Sequence, residues 1–190
     1  MNTGIKKRYQ GVFLLIFINF LIFVIKDILH IPLTFLFLNN NDPSWYQLIT
    51  ALFCHANYTH LSGNMFFLYI FGRLIEEEEG MFGIFASYFI CGIGANIVSI
   101  FFLHDTGYSL GASGAIFGLF TIAMLIKFKL NLYNILEILI LAPFVIGHII
   151  NETKLVGNSD NIGHGVHISG AFVGVLLILW LKHLSKKYRN

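Results

Sequence analysis

The chain has 190 residues, 56% of them hydrophobic and 12% charged, with a formal net charge of +2 and a mean hydropathy of +0.74. So few charges cannot solvate the surface of a soluble domain of this length, which points to an integral membrane protein. The small net charge leaves no basic stripe for nucleic acid, and Cys54 and Cys91, far apart and without CxxC spacing, read as buried thiols.

In chain order, a tail at 1–10 carries Lys6, Lys7 and Arg8 ahead of an apolar run. It has the outline of a signal peptide, but no A-x-A cleavage site follows and further apolar segments come after it. The run at 11–30 is therefore predicted to be a first membrane span. Crossing a bilayer takes about 20 apolar residues. Further runs of that kind lie at 59–78, 81–103, 112–129, 133–150 and 163–183, before a tail at 184–190. Lys26 and Asp27 interrupt the first run near its end and are expected to reach for the interface. The runs are continuously apolar rather than alternating, which favours helices over a barrel. With no long linker, repeat or low-complexity segment, the expected fold is one all-α, six-span membrane bundle over 11–183.

Lysine and arginine set the expected direction. The N-terminal tail, the turn at Arg73, the turn with Lys127 and Lys129, and the C-terminal tail with Lys182, Lys186, Lys187 and Arg189 hold the cations; the loops at 31–58, 104–111 and 151–162 hold only Lys154. Both termini are thus expected in the cytoplasm. The "EEEE" run at 76–79 falls on that same side and reads as a solvated turn.

Spans 2, 4 and 6 then all start in the outer leaflet, opening with "HANYTHLSGN", "GASGAIFG" and "GHGVHISGAFVG". The polar residues His55, His60, Asn64, Ser113, His164 and His167 gather at those three starts. Three to six residues into a helix is a descent of about 5–9 Å, so these side chains converge in one layer. A serine in a membrane helix is ordinarily a packing or i−4 back-bonding residue. Ser113 differs, since it is wrapped in Gly111, Ala112 and Gly114 in the first turn. Gly114/Gly118 and Gly170/Gly174 form small-xxx-small patterns that let two backbones approach. If spans 4 and 6 pack there, His167 comes within reach of Ser113, the geometry of a base-activated nucleophile. No acidic residue lies in the apolar body of spans 2, 4 or 6, and Glu152 and Asp160 are in a loop, so a Ser–His dyad is predicted rather than a triad. His60 and Asn64, at i and i+4, share a helix face. They form either a packing hydrogen bond or, with the Ser113 backbone N–H, the donors of an oxyanion site. A zinc site from His164, His167 and His55 or His60 is the rival reading; it lacks HExxH and a carboxylate and leaves Ser113 without a task.

At this point the sequence resembles the rhomboid intramembrane serine proteases over about residues 43–180. The GxSG motif stands as Gly111, Ala112, Ser113 and Gly114; HxxGxxxG as His167, Gly170 and Gly174; HxxxN as His60 and Asn64; and GxxxExxxG as Gly72, Glu76 and Gly80. The resemblance implies that Ser113 is the nucleophile, His167 the base, and His60 and Asn64 the oxyanion partners. Phe117 stands where family members usually carry a tyrosine that packs on the base. The family's Trp-Arg pair in the first outer loop is not present, and Trp45 is followed by Tyr46 and Gln47.

The implied activity is hydrolysis of a peptide bond in or beside a transmembrane helix of a membrane-protein substrate, with the lipid bilayer as surroundings, no nucleic-acid partner, no cofactor or metal, and no oligomer required. The substrate helix must unwind locally, so small or helix-breaking residues are expected at its cleavage site. The loop at 151–162, with Gly157, is a candidate mobile cap. A short chain suits a prokaryotic plasma membrane. A catalytically inactive, helix-binding chaperone of the same architecture is the alternative, and a small transporter a weaker one, with neither paired intramembrane charges nor inverted repeats to support it.

Overall fold

The computed structural model describes residues 9–102, 107–127 and 162–187, together with residues 136, 139, 140, 143 and 147. Helix α1, Gln10–Phe23, runs on into one π-helical stretch, Val24–Ile28. The chain leaves it at His30, whose φ of 54° is left-handed, two residues before Pro32. Lys26 and Asp27, expected to reach for the interface, pair with each other, Nζ to Oδ1 at 2.9 Å, inside that π turn.

The connection that follows is organised rather than open. It holds 3₁₀ turns at Thr34–Leu36 and Ala51–Phe53, strand β1 at Leu38–Asn39 and the short helix α2, Gln47–Thr50. Helix α3, Tyr58–Phe102, is broken at Gly80, where φ is 73° and ψ −176°. It folds back there. A methyl group added at Gly72 would lie 3.3 Å from Ile84 Cδ1, whereas 12 residues of straight helix would separate these positions by about 18 Å. The two predicted runs at 59–78 and 81–103 are the arms of this hairpin. Strand β2, Tyr108–Ser109, leads to α4, Ser113–Lys127, and the last described helix is α5, Ile162–Lys187. The segment 184–187, predicted as tail, is therefore helical. The predicted fifth run, 133–150, lies outside the described residues except at 136, 139, 140, 143 and 147, which are helical. The candidate cap at 151–162 also lies outside them, save Ile162, as do Glu152, Asp160 and the tail at 1–8. Helix α4 packs against both α3 and α5, and α1 lies on α3.

The described residues place large apolar side chains on the outside as well as in the core. Phe13, Phe17, Phe82, Phe101, Phe172 and Trp180 face outward, while Asn19, Asn64, Asn96, Ser99, His167 and Ser169 are buried. An apolar exterior with polar side chains kept inside suits lipid, where polar groups must be satisfied within the protein. Gln10–Ile28 and Tyr58–Phe101 are long and apolar enough to cross a bilayer; Ser113–Ile126 and Val166–Leu181 are shorter apolar stretches. Both cysteines are buried free thiols, as expected.

Glu76 corrects the reading of the acidic run as a solvated turn. Glu78 and Glu79 are exposed, but Glu76 is buried, and its carboxylate accepts the Gly11 and Val12 N–H groups at 2.8 Å each. The residue before α1, Tyr9, offers no side-chain cap. A carboxylate 65 positions away in sequence supplies it instead, satisfying two orphan donors at the positive end of the helix. Gly72 beside Val12, Glu76 on the start of α1 and Gly80 at the reversal thus act as one clamp joining α1 to the hairpin.

Helices α4 and α5 touch backbone to backbone. A methyl group added at Gly170 would overlap the Gly114 carbonyl, and one at Gly174 would lie 2.6 Å from the Gly118 carbonyl oxygen. This is the close approach that the paired small-xxx-small patterns predict.

Two outcomes are expected on unfolding the detergent-purified protein. Glu76→Ala strands two buried N–H groups and should lower stability by about 3 kcal/mol, with Glu76→Gln in between because an amide oxygen can still accept. Gly170→Ala forces α5 off α4 and should cost about 1–3 kcal/mol; wild-type stability in either alanine variant contradicts the packing described.

Candidate active site

The segment entering α4 is held from one side by the first loop. Strands β1 and β2 pair antiparallel, Leu38 with Ser109 and Asn39 with Tyr108. Asn40 donates from its backbone N–H to the Gly107 carbonyl at 2.9 Å and from Nδ2 to Ser109 Oγ at 2.7 Å. The Gly111 N–H then donates to the Ala51 carbonyl at 2.9 Å. The loop is itself braced. Gln47 Oε1 accepts the Asn39 and Ser44 N–H groups, its Nε2 donates to the Phe35 carbonyl, and Thr50 Oγ1 donates to the Leu36 carbonyl. The second arm of α3 holds the loop from below, through Tyr88 Oη to the Leu52 carbonyl and Asn96 Nδ2 to the Leu48 carbonyl, both 2.9 Å. Gln47, two residues after Trp45, therefore anchors the loop by polar contacts where the family pattern leads one to expect an arginine beside the tryptophan.

This support delivers Gly111 in a conformation of φ 126°, open to glycine, and the chain turns there into α4 with Ser113 as its first residue. A side chain at Gly111 would strike the His60 ring, 2.8 Å from both Cε1 and Nε2, with Asn64 Nδ2 at 3.9 Å. His60 and Asn64 are thus pressed against the residue two before Ser113. Their helix start is capped locally: Asn57 Oδ1 accepts the His60 N–H at 2.8 Å, three residues on, a regular N-cap. Asn64 is 2% exposed, and its Nδ2 has no hydrogen-bond partner among the described residues.

From the other side comes α5. His167 is buried, and its ring stacks on Phe117 with centroids 4.7 Å apart and planes at 24°. Phe117 lies one turn beyond Ser113, on the same face of α4. A methyl group at Gly114 would lie 2.7 Å from Ala95 Cβ and 3.2 Å from Val166 Cγ1, so the neighbours of Ser113 and His167 are in contact. The structure therefore gathers Ser113, His167, His60, Asn64, Gly111, Gly114, Phe117, Gly170 and Gly174 into one region. Glu76 stands apart from it, in α3 where it caps the start of α1. The side chain of His164 lies outside the described residues. Among those residues, no three His, Cys, Asp or Glu side chains are grouped to hold a metal ion.

Sequence reasoning placed His55 only among the polar residues at the start of span 2 and as a possible metal ligand. It is fully buried and its ring meets His60 edge-on, with centroids 5.0 Å apart. The only signal was its position, five residues ahead of His60 at a helix start.

Apolar outer faces around buried His167 and Asn64, on either side of the start of α4, place polar groups inside an integral membrane protein. The chain belongs to the rhomboid family: the family model of the Rhomboid domain matches residues 42–183. It is 46% identical over 196 residues to rhomboid-like protein 11, chloroplastic, of Arabidopsis thaliana, covering 97% of this chain and 69% of that protein. Similarity to RHOMBOID-like protein 6, mitochondrial, of the same plant is 34% over 148 residues, covering 76% of this chain and 48% of that one. Rhomboid protease AarA of Providencia stuartii is 27% identical over 164 residues, covering 70% and 54%. The chain thus spans about two thirds of the first relative and about half of the other two.

Burial, and after it the neighbouring His60 and more weakly Lys26, push the His55 imidazole down from its ordinary 6.5 to about 3; the Phe53 carbonyl opposes this from outside hydrogen-bonding geometry. The unfolded chain takes up a proton at His55 below about pH 6.5, while the folded one resists until about 3. Stability should therefore be fully present above 6.5 and fall as pH drops toward 3. Unfolding midpoints measured from pH 7 to 4 should show a shallower fall for His55→Phe than for wild type; parallel curves would mean that this imidazole is not buried neutral.

Proposed function

We propose that the protein is a serine endopeptidase of membranes that cleaves peptide bonds in or next to transmembrane helices with a Ser113–His167 dyad. The observation that carries this reading is Asn64 Nδ2, a buried donor without a partner among the described residues, set beside Gly111 at the start of the serine helix. A buried amide left unpaired costs about 1–3 kcal/mol. Such a donor is explained if it is kept for an oxygen that appears during reaction.

In this scheme Ser113 Oγ attacks the scissile carbonyl carbon while His167 accepts the hydroxyl proton. The oxygen of the tetrahedral intermediate takes hydrogen bonds from Asn64 Nδ2, His60 and the Ser113 backbone N–H at the positive end of α4. Collapse passes the proton from His167 to the leaving amine and leaves an acyl group on Ser113. A water, deprotonated by the same imidazole, then attacks the ester and restores the serine. Phe117 orients the base by stacking, the task a carboxylate performs in a triad. Water reaches the site only if its polar side chains line a cavity rather than face lipid, and a bound helix must unwind to bare its carbonyl carbon.

The distribution of lysine and arginine supports six spans with both termini cytoplasmic and the site near the opposite surface. The substrates are membrane proteins threaded through the bilayer. A prokaryotic plasma membrane and a plastid membrane are both in keeping with the relatives, one bacterial and one named chloroplastic. A second reading, a helix-binding protein without catalysis, takes its support from relatives named only as rhomboid-like.

Purified protein should be labelled by a fluorophosphonate serine probe and should cleave a model transmembrane substrate, while Ser113→Ala and His167→Ala do neither. Asn64→Ala should lower kcat by about 10²–10³. Equal labelling of wild type and Ser113→Ala would rule out the dyad, and an unlabelled, inactive wild type would favour the helix-binding reading.

A further inference from the structure

Arg73 is exposed on the first arm of α3, and its guanidinium turns across to α1. Its Cζ stands 4.8 Å from the centroid of the Tyr9 ring, and the hydroxyls of Tyr9 and Tyr69 are the polar groups that act on it. Tyr69 in turn meets Phe13 of α1, with ring centroids 6.0 Å apart. Carboxylates are close in sequence but do not hold this cation. Glu76 is committed to the Gly11 and Val12 N–H groups, and Glu77 has a contact of its own. Glu78 and Glu79, five and six residues on, project from other faces of the helix. Among the described residues no ion pair holds Arg73. The guanidinium thus meets the face of one phenol ring and two hydroxyls, without an anion.

The depth of this cluster follows from its neighbours. Tyr9 directly precedes α1 and the first apolar run, a level at which tyrosine and arginine mark the boundary between hydrocarbon and headgroups. Lys6, Lys7 and Arg8 come immediately before it in the sequence. Helical side chains lean toward the N-terminus of their helix, which for the first arm of α3 is toward the bilayer, where Arg73 reaches Tyr69 one turn back. An arginine on a lipid-facing surface at this level draws an anion to itself, and the anions present there are lipid phosphates. The guanidinium fork matches a phosphate, and tyrosine hydroxyls can donate to its remaining oxygens. Deeper in the bilayer, exposed Phe13 and Phe17 are one turn apart on the same face of α1. They offer an apolar track that begins beside Tyr69.

We propose that Tyr9, Tyr69 and Arg73 form a binding site for the phosphate of an anionic phospholipid in the leaflet where α1 begins, with an acyl chain along Phe13 and Phe17. The site is separate from Ser113 and does not depend on the protease reading. The lipid touches α1 through Tyr9 and Phe13 and α3 through Tyr69 and Arg73, at the junction that Glu76 clamps from inside. Its binding therefore stabilises the contact between these two helices. A choline headgroup brings a cation of its own toward Arg73 and the basic residues before Tyr9, so an anionic headgroup is preferred. A free phosphate ion lacks the chain that lies on the phenylalanines, so the source of the phosphate is lipid.

The test uses the full chain, stripped of lipid in detergent and titrated with dioleoylphosphatidylglycerol, dioleoylphosphatidylcholine or inorganic phosphate. Native mass spectrometry counts the adducts, and thermal unfolding reads the stabilisation. Phosphatidylglycerol should form a one-to-one adduct and raise the unfolding midpoint more than phosphatidylcholine does, and inorganic phosphate should leave the midpoint where it was. Arg73→Gln should weaken phosphatidylglycerol binding by about tenfold or more, through loss of charge-assisted hydrogen bonds, and remove the rise in midpoint. Tyr69→Phe, which keeps the ring, should weaken binding by about threefold. Lys182→Gln, which removes a cation from α5, should change neither readout. Arg73→Lys keeps the charge without the fork and should bind with intermediate affinity, which carries the test should Arg73→Gln not fold. Equal phosphatidylglycerol binding by wild type and both Arg73 variants, equal affinity for the two lipids, or the same stabilisation by inorganic phosphate would overturn the proposal. Fluorophosphonate labelling of Ser113 in lipid-free detergent should be unchanged in Arg73→Gln, so the lipid site and the serine chemistry stand or fall separately.

Discussion

Glycine against backbone, where α5 lies on α4, sets the dimensions of the site. Gly170 and Gly174 meet the carbonyls of Gly114 and Gly118 with no side chain between them, and Gly118 is in turn closed upon by Cys91 of α3. Three helices therefore meet at distances that only hydrogen atoms on Cα permit. In lipid there is no hydrophobic force to bring helices together, so association depends on such close packing and on interior polar contacts. Once the backbones touch, the stacking of His167 on Phe117 follows, because both residues are within a turn of the contact. A single added methyl group at this seam displaces the histidine's helix relative to the serine's.

The seam aligns one half of the site; the first loop aligns the other. The peptide entering α4 is tied at Gly107, Ser109 and Gly111 to residues 38–51, and those residues are tied to Tyr88 and Asn96 of α3. The His60 side of the site belongs to the same α3 chain that braces the loop. Ser113 and the pair His60 and Asn64 are thus fixed to a common frame. For the reaction proposed above, preorganisation of this kind would place the donors before charge develops.

How much of this the sequence made legible depends on the range of the interactions. Membrane helices satisfy their own backbone, so continuous apolar runs revealed the arms of α3, α4 and α5 to within a few residues. Glycine spacing revealed the α4–α5 contact, and the i, i+4 spacing of His60 and Asn64 their common face. Other features rest on partners far apart in the chain. Ala51 bonds Gly111, Leu52 bonds Tyr88, and Glu76 bonds Gly11 and Val12. No local pattern in "PSWYQLIT" announces that Gln47 will tie together Phe35, Asn39 and Ser44. The burial of Glu76 was masked by its own neighbours, since four successive glutamates read as one solvated cluster, although the GxxxExxxG motif marked the residue out. The Lys26–Asp27 pair lies within a π turn that no local pattern announced.

His55 shows how these two kinds of information combine. Taken alone, a histidine before a helix start is an ordinary polar residue, and its spacing from His60 does not place the two on one helix face. The loop geometry folds residue 55 back over the first turn of α3, where its ring reaches that of His60. A buried imidazole without hydrogen bonds is unfavourable where it stands. Such a group persists in a fold when the arrangement around it is worth more than the local cost. The same reasoning applies to Asn64, whose unpaired donor lies near Gly111. Asn64 thus keeps a buried donor without a partner among the described residues beside Gly111, the glycine that brings the chain to Ser113.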